Sequence, residues 1–185
     1  MSKILLCIII LSIPNNIVFA VVSKMTIALT KAEVTSDQKY LNASARISRY
    51  TVEPYFTIDM TFVILQKLND LTMRVRHIVP LAGRENVFYD VTVDFCNFLK
   101  RPTHSILKLV FEEVKKHGPM PTSCPIFPTR AIFSNISMNK VRIPPYMPET
   151  RFQMVINGWT GTKQGKVDIY EGRWFGRLKK MTTSN

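Results

Sequence analysis

Apolar and polar residues alternate with period two along most of the chain, the signature of strands with one buried face. Met25, Ile27 and Leu29 alternate with Lys24, Thr26 and Ala28. Leu41, Ala43, Ala45 and Ile47 alternate with Asn42, Ser44, Arg46 and Ser48. The clearest run is Phe56, Ile58, Met60, Phe62 and Ile64 against Thr57, Asp59 and Thr61. Met73, Val75 and Val79 share a face with His77, opposite Arg74 and Arg76. Tyr89, Val91, Val93 and Phe95 oppose Asp90, Thr92 and Asp94. Ile132, Ser134 and Ile136 oppose Asn135; Phe152, Met154 and Ile156 oppose Arg151 and Gln153; Val167 and Ile169 oppose Lys166 and Asp168. About eight half-buried strands of this kind predict a mainly-β fold, an antiparallel sandwich or barrel.

One segment breaks the rhythm. Ile106, Leu107, Leu109, Val110 and Val114 recur at helical spacing, with Glu112, Glu113, Lys115 and Lys116 on the other side. Pro102 and Thr103 mark a start and Gly118-Pro119 a stop, which predicts a helix over 103–117. Prolines 119, 121, 125 and 128 make the return an extended loop, and Pro144 to Pro148 form another connection. Gly161 to Lys166 has a faint phosphate-loop look. It is one residue short, and Val167 stands where Ser or Thr would hold magnesium. Its place between two strands predicts a hairpin turn.

The first twenty residues stand apart. Lys3 precedes an apolar run from Ile4 to Ile13, and Val18-Phe19-Ala20 has the small-residue pattern of a cleavage site, with Ala20 the last residue removed. The run is too short to span a bilayer, which needs about 20 apolar residues. The expectation is a signal peptide over 1–20, a single domain over 21–185 and secretion to the extracellular space. No later stretch approaches spanning length.

That address changes how the composition reads. Cys7 leaves with the leader, so Cys96 and Cys124 remain as an even pair in an oxidising compartment and are expected to form a disulfide. They flank the helix and would staple it to the sheet edge. Asn42-Ala43-Ser44 and Asn135-Ile136-Ser137 become candidate glycosylation sites at Asn42 and Asn135. The formal net charge of +12 would suggest nucleic acid in a cytosolic protein. In a secreted chain with scattered basic residues it points instead to solubility, anionic surfaces or an acidic partner.

No catalytic constellation emerges. His77, His104 and His117 lack metal-ligand spacing, and no G-x-S-x-G elbow is present. Asp90 and Asp94 lie about 13 Å apart along a strand, too far for the usual carboxylate pair. The interior carries the remaining chemistry. Phe56, Ile58, Met60, Phe62, Tyr89, Val91, Val93, Phe152, Met154 and Ile156 project from the apolar faces. Two sheets either close over such residues as a packed core or part to hold an apolar ligand.

Four blocks, taken in order, carry a family resemblance. They are Phe62 to Asn69, Tyr89-Asp-Val-Thr-Val-Asp-Phe-Cys-Asn-Phe-Leu-Lys100, the helix leading to Ser123-Cys124-Pro125, and Ile143-Pro144-Pro145 followed by Phe152 to Trp159. Over roughly 24–170 the chain resembles an insect family of small secreted proteins of unknown function, which includes chemosensory B-type proteins of fly gustatory bristles. That family is thought similar to the lipid-recognition fold of the ganglioside activator protein. The family usually has further cysteines in its first quarter, whereas this chain has none between Val21 and Phe95. The resemblance implies an immunoglobulin-like β-sandwich with ligand space between its sheets, no enzyme activity, and Cys96–Cys124 as the family's central bridge.

The expectation is therefore a secreted, non-enzymatic protein carrying or presenting a hydrophobic, lipid- or pheromone-like ligand. It includes no cofactor, no metal, no nucleic acid and no transmembrane segment after cleavage. The alternative is an extracellular module docking an acidic partner or receptor through its basic surface. A hydrolase would need a pocket joining a histidine or carboxylate to a nucleophile.

Overall fold

The computed structural model describes residues 22–52, 55–81, 83–138, 141, 143 and 148–183. The expected leader over 1–20 and most of the Pro144–Pro148 connection lie outside the described residues. Within them, eight strands run in chain order: β1 (Val22–Ser36), β2 (Leu41–Arg49), β3 (Phe56–Ile64), β4 (Thr72–Leu81), β5 (Arg84–Asp94), β6 (Thr129–Ile136), β7 (Arg151–Thr162) and β8 (Gly165–Thr183). Between β5 and β6 lie helices α1 (Phe95–Lys100) and α2 (Ser105–Val114), the latter continued by a tighter turn over Lys115–His117. The strands form a five-stranded sheet, β1-β8-β7-β4-β5, and a three-stranded sheet, β2-β3-β6. Every pairing is antiparallel. The expected mainly-β antiparallel sandwich with a stapled helical excursion is the fold.

Register places the apolar alternation inward. Met73, Val75 and His77 on β4 face Gly158, Ile156 and Met154 on β7. These in turn face Tyr170, Gly172 and Trp174 on β8. Residues directly opposed across antiparallel strands share a face, so these rows are one surface. The Gly161–Lys166 segment is a hairpin that pairs Thr162 with Gly165, which has φ 115°. Positive φ is the conformation that glycine adopts without a Cβ clash.

The β6 alternation is corrected by the structure. Ile132 is 42% exposed, while Ala131 and Phe133 are buried and Ile136 is fully buried. The register shift between Ile58 and Met60 gives β6 an extra residue there. Asn135 takes φ 57°, and its backbone N–H donates to Asp59 Oδ1 at 2.9 Å. The bulge switches the strand's inward side in mid-course, so strict alternation misassigns Ile132.

The helical region is also more divided than a single run over 103–117. Strand β5 stops at Asp94, whose carboxylate accepts the Asn97 N–H at 3.0 Å and caps α1. Phe98 of α1 meets Phe111 of α2 edge to face at 5.2 Å. Glu113, expected on the solvent side, is buried. It pairs with Lys116 at 2.7 Å and His117 at 3.3 Å, and His117 Nδ1 lies 3.0 Å from the Ser134 carbonyl on β6. Burial raises the Glu113 carboxyl, but those two partners outweigh it and hold it below its usual value. The disulfide between Cys96 and Cys124 spans Cα atoms 5.4 Å apart and closes a 28-residue separation. The excursion is thereby tied at both ends, to one sheet through Cys96 and to the other through His117.

Chain-entropy reasoning assigns that bridge about 3.5 kcal/mol. The paired substitution Cys96→Ala/Cys124→Ala is expected to lower unfolding stability by about that amount. Guanidinium titration of oxidised wild type against the variant measures it, and an unchanged midpoint would remove the staple from the account.

Candidate functional site

A cavity of about 350 Å³ lies between the sheets, within the size range of small-molecule sites. One wall is the five-stranded sheet, with Ile27, Leu29, Met73, Phe152, Met154, Ile156 and Leu178. The facing wall is the three-stranded sheet, with Leu41, Ile58, Met60, Phe62, Ala131 and Phe133. Helix α2 closes a side with Ile106, Val110, Phe111 and Val114, and Leu68 and Ile126, which bridge to each other, close an end. Of the ten residues singled out by alternation, Ile58, Met60, Phe62, Phe152, Met154 and Ile156 line this space together.

The other four lie elsewhere. Phe56 is packed in the core next to the cavity and does not face it. Tyr89, Val91 and Val93 share the inner face with His77, Val75 and Met73, but they sit on β5, the edge strand. The facing sheet is two strands narrower, so their strand lies outside the cavity wall. Alternation identifies a face and is blind to whether a strand overlies its partner sheet. The contributions of β1, β2 and the Leu68–Leu71 loop were missed for the same reason. Helix α2 was legible as an amphipathic segment, though not as a wall.

The space traces to glycine. Gly158, Gly172 and Gly176 occupy inward positions on β7 and β8 where side chains would otherwise fill the gap. A Cβ on Gly172 would collide with the Tyr170 hydroxyl and approach Trp174 Nε1 to 3.0 Å. One on Gly176 would come within 2.8 Å of the Phe152 ring and of the Ala28 carbonyl. The large aromatics therefore fold down against the sheet, over the glycines, and leave the middle of the sandwich open. Glycine inside a strand often marks such close approach.

The lining is almost entirely hydrocarbon. Among the described residues its only side chains with nitrogen or oxygen are His77, Tyr170 and Trp174, and none is a formal charge carrier of the Lys, Arg, Asp or Glu type. His77 Nδ1 is buried with no hydrogen-bond partner, and Trp174 Nε1 is buried beside the Tyr170 hydroxyl over Gly172. The His77 ring packs on Phe152 at 5.2 Å and on Phe88, which is 53% exposed, at 5.9 Å. Burial lowers the His77 pKa, favouring the neutral ring. Burial pushes Tyr170 up to about 12, against the opposing effect of a hydrogen bond from the Trp174 indole.

Other candidate chemistry is dispersed. His117 is engaged with Glu113 and Ser134, and His104 lies at the start of α2. Among the described residues no cluster of three or more His, Cys, Asp or Glu could hold a metal ion. No helix among them is long and apolar enough to cross a membrane. Asn42 and Asn135 are both exposed. A second, open groove on the outer face of the five-stranded sheet is lined by Arg74, Asn157, Trp159, Lys166, Asp168 and Glu171. There Lys166 Nζ sits 3.9 Å above the Trp159 ring.

Neutral, buried His77 makes stability depend on pH. Its folded pKa is below the unfolded value of 6.5, so on acidification the unfolded chain takes up the proton first. Its contribution is present above pH 6.5 and is lost as pH falls through 6.5 toward the folded pKa. The paired carboxylates Glu33, Asp90 and Glu113 are held below their ordinary values and act only in more acidic solution. Thermal melts between pH 7 and 5 are expected to show a falling Tm in wild type and a flatter profile in His77→Phe. Parallel profiles would place the His77 ring in water.

Residues 71–154, from the start of β4 into β7, match the model of a family described as a protein of unknown function (DUF1091). The matched segment contains both bridged cysteines, both helices and all of β4, β5 and β6. No curated protein matches the chain.

Proposed function

We propose that this is a secreted, non-enzymatic protein that carries or presents a hydrophobic ligand in the space between its sheets. The observation that carries the reading is the cavity itself, about 350 Å³ with hydrocarbon walls and no Lys, Arg, Asp or Glu side chain among the described residues that line it. Native interiors are packed to crystal density, with few voids larger than a water molecule. A space this large is out of keeping with a purely structural core. The resemblance to small secreted insect proteins of lipid-recognition type points the same way, as does the leader-like segment over 1–20. The match to a family of unknown function leaves the ligand open.

Protein expressed in insect cells, extracted with organic solvent and analysed by mass spectrometry is expected to yield co-purifying lipid. The delipidated protein is expected to take up a fluorescent fatty-chain probe. Met60→Trp, which adds volume from the three-stranded sheet, should weaken uptake about tenfold with the circular dichroism spectrum unchanged. Absence of both lipid and uptake would sink the proposal.

A second reading rests on the outer face of the five-stranded sheet. Arg76 and Arg173 flank Val155 there, and Arg151 opposes Arg177. The same face also carries Arg74, Lys31 and Lys179. Ion pairs with Asp90, Glu171 and Glu33 offset part of that charge. Docking of an acidic partner on this face should weaken steeply between low and physiological salt, since surface charges are screened beyond about 8 Å at 0.15 M. Binding to heparin-type or acidic protein surfaces that ignores salt would exclude it.

A further inference from the structure

The cavity is closed by different materials on different sides. Leu68 and Ile126 close one end through a backbone bridge. Phe56, Ile136 and Met138, all buried, pack the opposite end. Toward the edge strand β5 the closure is made by rings. Phe152 and His77 both line the cavity, and their rings lie 5.2 Å apart. Phe88 meets the far side of this pair, edge to face on His77 at 5.9 Å, and is 53% exposed. From cavity to solvent at this point the path crosses two side chains, His77 and Phe88, rather than hydrogen-bonded backbone.

The backbone around Phe88 is built for this contact. Tyr89 pairs with His77 and Val87 pairs with Ile78, so Phe88 is the extra residue of a bulge in β5. Strict alternation would send Phe88 to the face opposite Tyr89, and the bulge brings its ring to His77 instead. Bulges gather at sheet edges and beside functional sites, where they re-aim a side chain.

We infer that the ligand enters and leaves the cavity at the β5 edge, and that the Phe88 ring, resting on His77, is the leaf that covers this entrance. This inference rests on the carrier reading and adds its route.

Little holds the leaf shut. Exposed side chains change rotamer far faster than strands or helices part. Opening a wall of paired strands would break ladder hydrogen bonds, whereas turning Phe88 breaks none, since its ring has no polar atom. His77 Nδ1 likewise has no hydrogen-bond partner to lose when that ring gives way. Among the described residues no strand pairs with the outer side of β5, so Phe88 has room to swing.

The test is stopped-flow mixing of delipidated protein with a fatty methyl ester carrying a terminal pyrene, which gives uptake and release rates separately. Phe88 stands outside the cavity lining, so its ring adds to the barrier and not to the bound state. In Phe88→Ala both rates are expected to rise about tenfold with Kd held within about twofold. Phe88→Trp, which keeps a larger ring on His77, should slow both about threefold and gives the readout if Phe88→Ala fails to fold. Tyr50→Ala removes another exposed aromatic, on the β2–β3 connection, and should change neither rate. Unchanged rates in both Phe88 variants, equal changes in Tyr50→Ala, or faster release with unchanged uptake would each overturn the inference. The last result would make Phe88 a ligand contact. All three leave the carrier reading standing, and only a wild type that takes up no probe removes it as well.

Discussion

A five-stranded sheet faces a three-stranded one, and that mismatch in width governs the rest of the molecule. The inner face of the wider sheet is apolar beyond the edge of its partner, and apolar surface left in water costs about 25 cal/mol per Å². The chain between β5 and β6 meets this demand with α1 and α2. Ile106, Val110 and Val114 turn inward from α2, while Phe98 and Phe111 join the two helices. A helix of ten residues has little stability alone. The disulfide at one end and the Glu113–His117–Ser134 chain at the other hold it in place. Without this side wall the space between the sheets would open to solvent.

Glycines set the depth of that space. On β8 the inward row reads Tyr170, Gly172, Trp174, Gly176, Leu178, large side chains alternating with none. The Tyr170 hydroxyl and the Trp174 indole both lie over the bare backbone of Gly172, while the Tyr170 ring also meets Phe62 of the opposite sheet at 5.9 Å. The same device operates at Gly176 beneath Phe152. Close packing along the wall and emptiness in the middle thus have one cause.

Legibility followed from these two facts. The runs in β2, β3, β4 and β7 were readable because their inward positions, His77 apart, are apolar or glycine. The bridge was readable from two cysteines around a helical pattern. Most of β8 was not readable beyond Ile169, since glycine at every second inward position erases the hydrophobic half of the alternation. Strand β6 misled because Asn135 supplies a bulge that reverses the inward side between Phe133 and Ile136. Short α1 hid because Phe95 extends the β5 alternation by one step, and only the Asp94 carboxylate on Asn97 marks the stop. Tyr89, Val91 and Val93 had the right face on an edge strand that lies beyond the three-stranded sheet. Sheet width is a long-range property, and local periodicity carries no trace of it.

The open middle of the sandwich carries a packing cost. Voids in protein cores cost about 24 cal/mol per Å³. Left empty, 350 Å³ would cost about 8 kcal/mol, comparable with the whole stability of an ordinary domain. The bridge, at about 3.5 kcal/mol, offsets less than half of it. Hydrocarbon entering the space would remove that cost, because its atoms replace the dispersion contacts that the lining side chains lack across the gap. The spacing of Gly172 and Gly176 along the inward face of β8 is what leaves room for it.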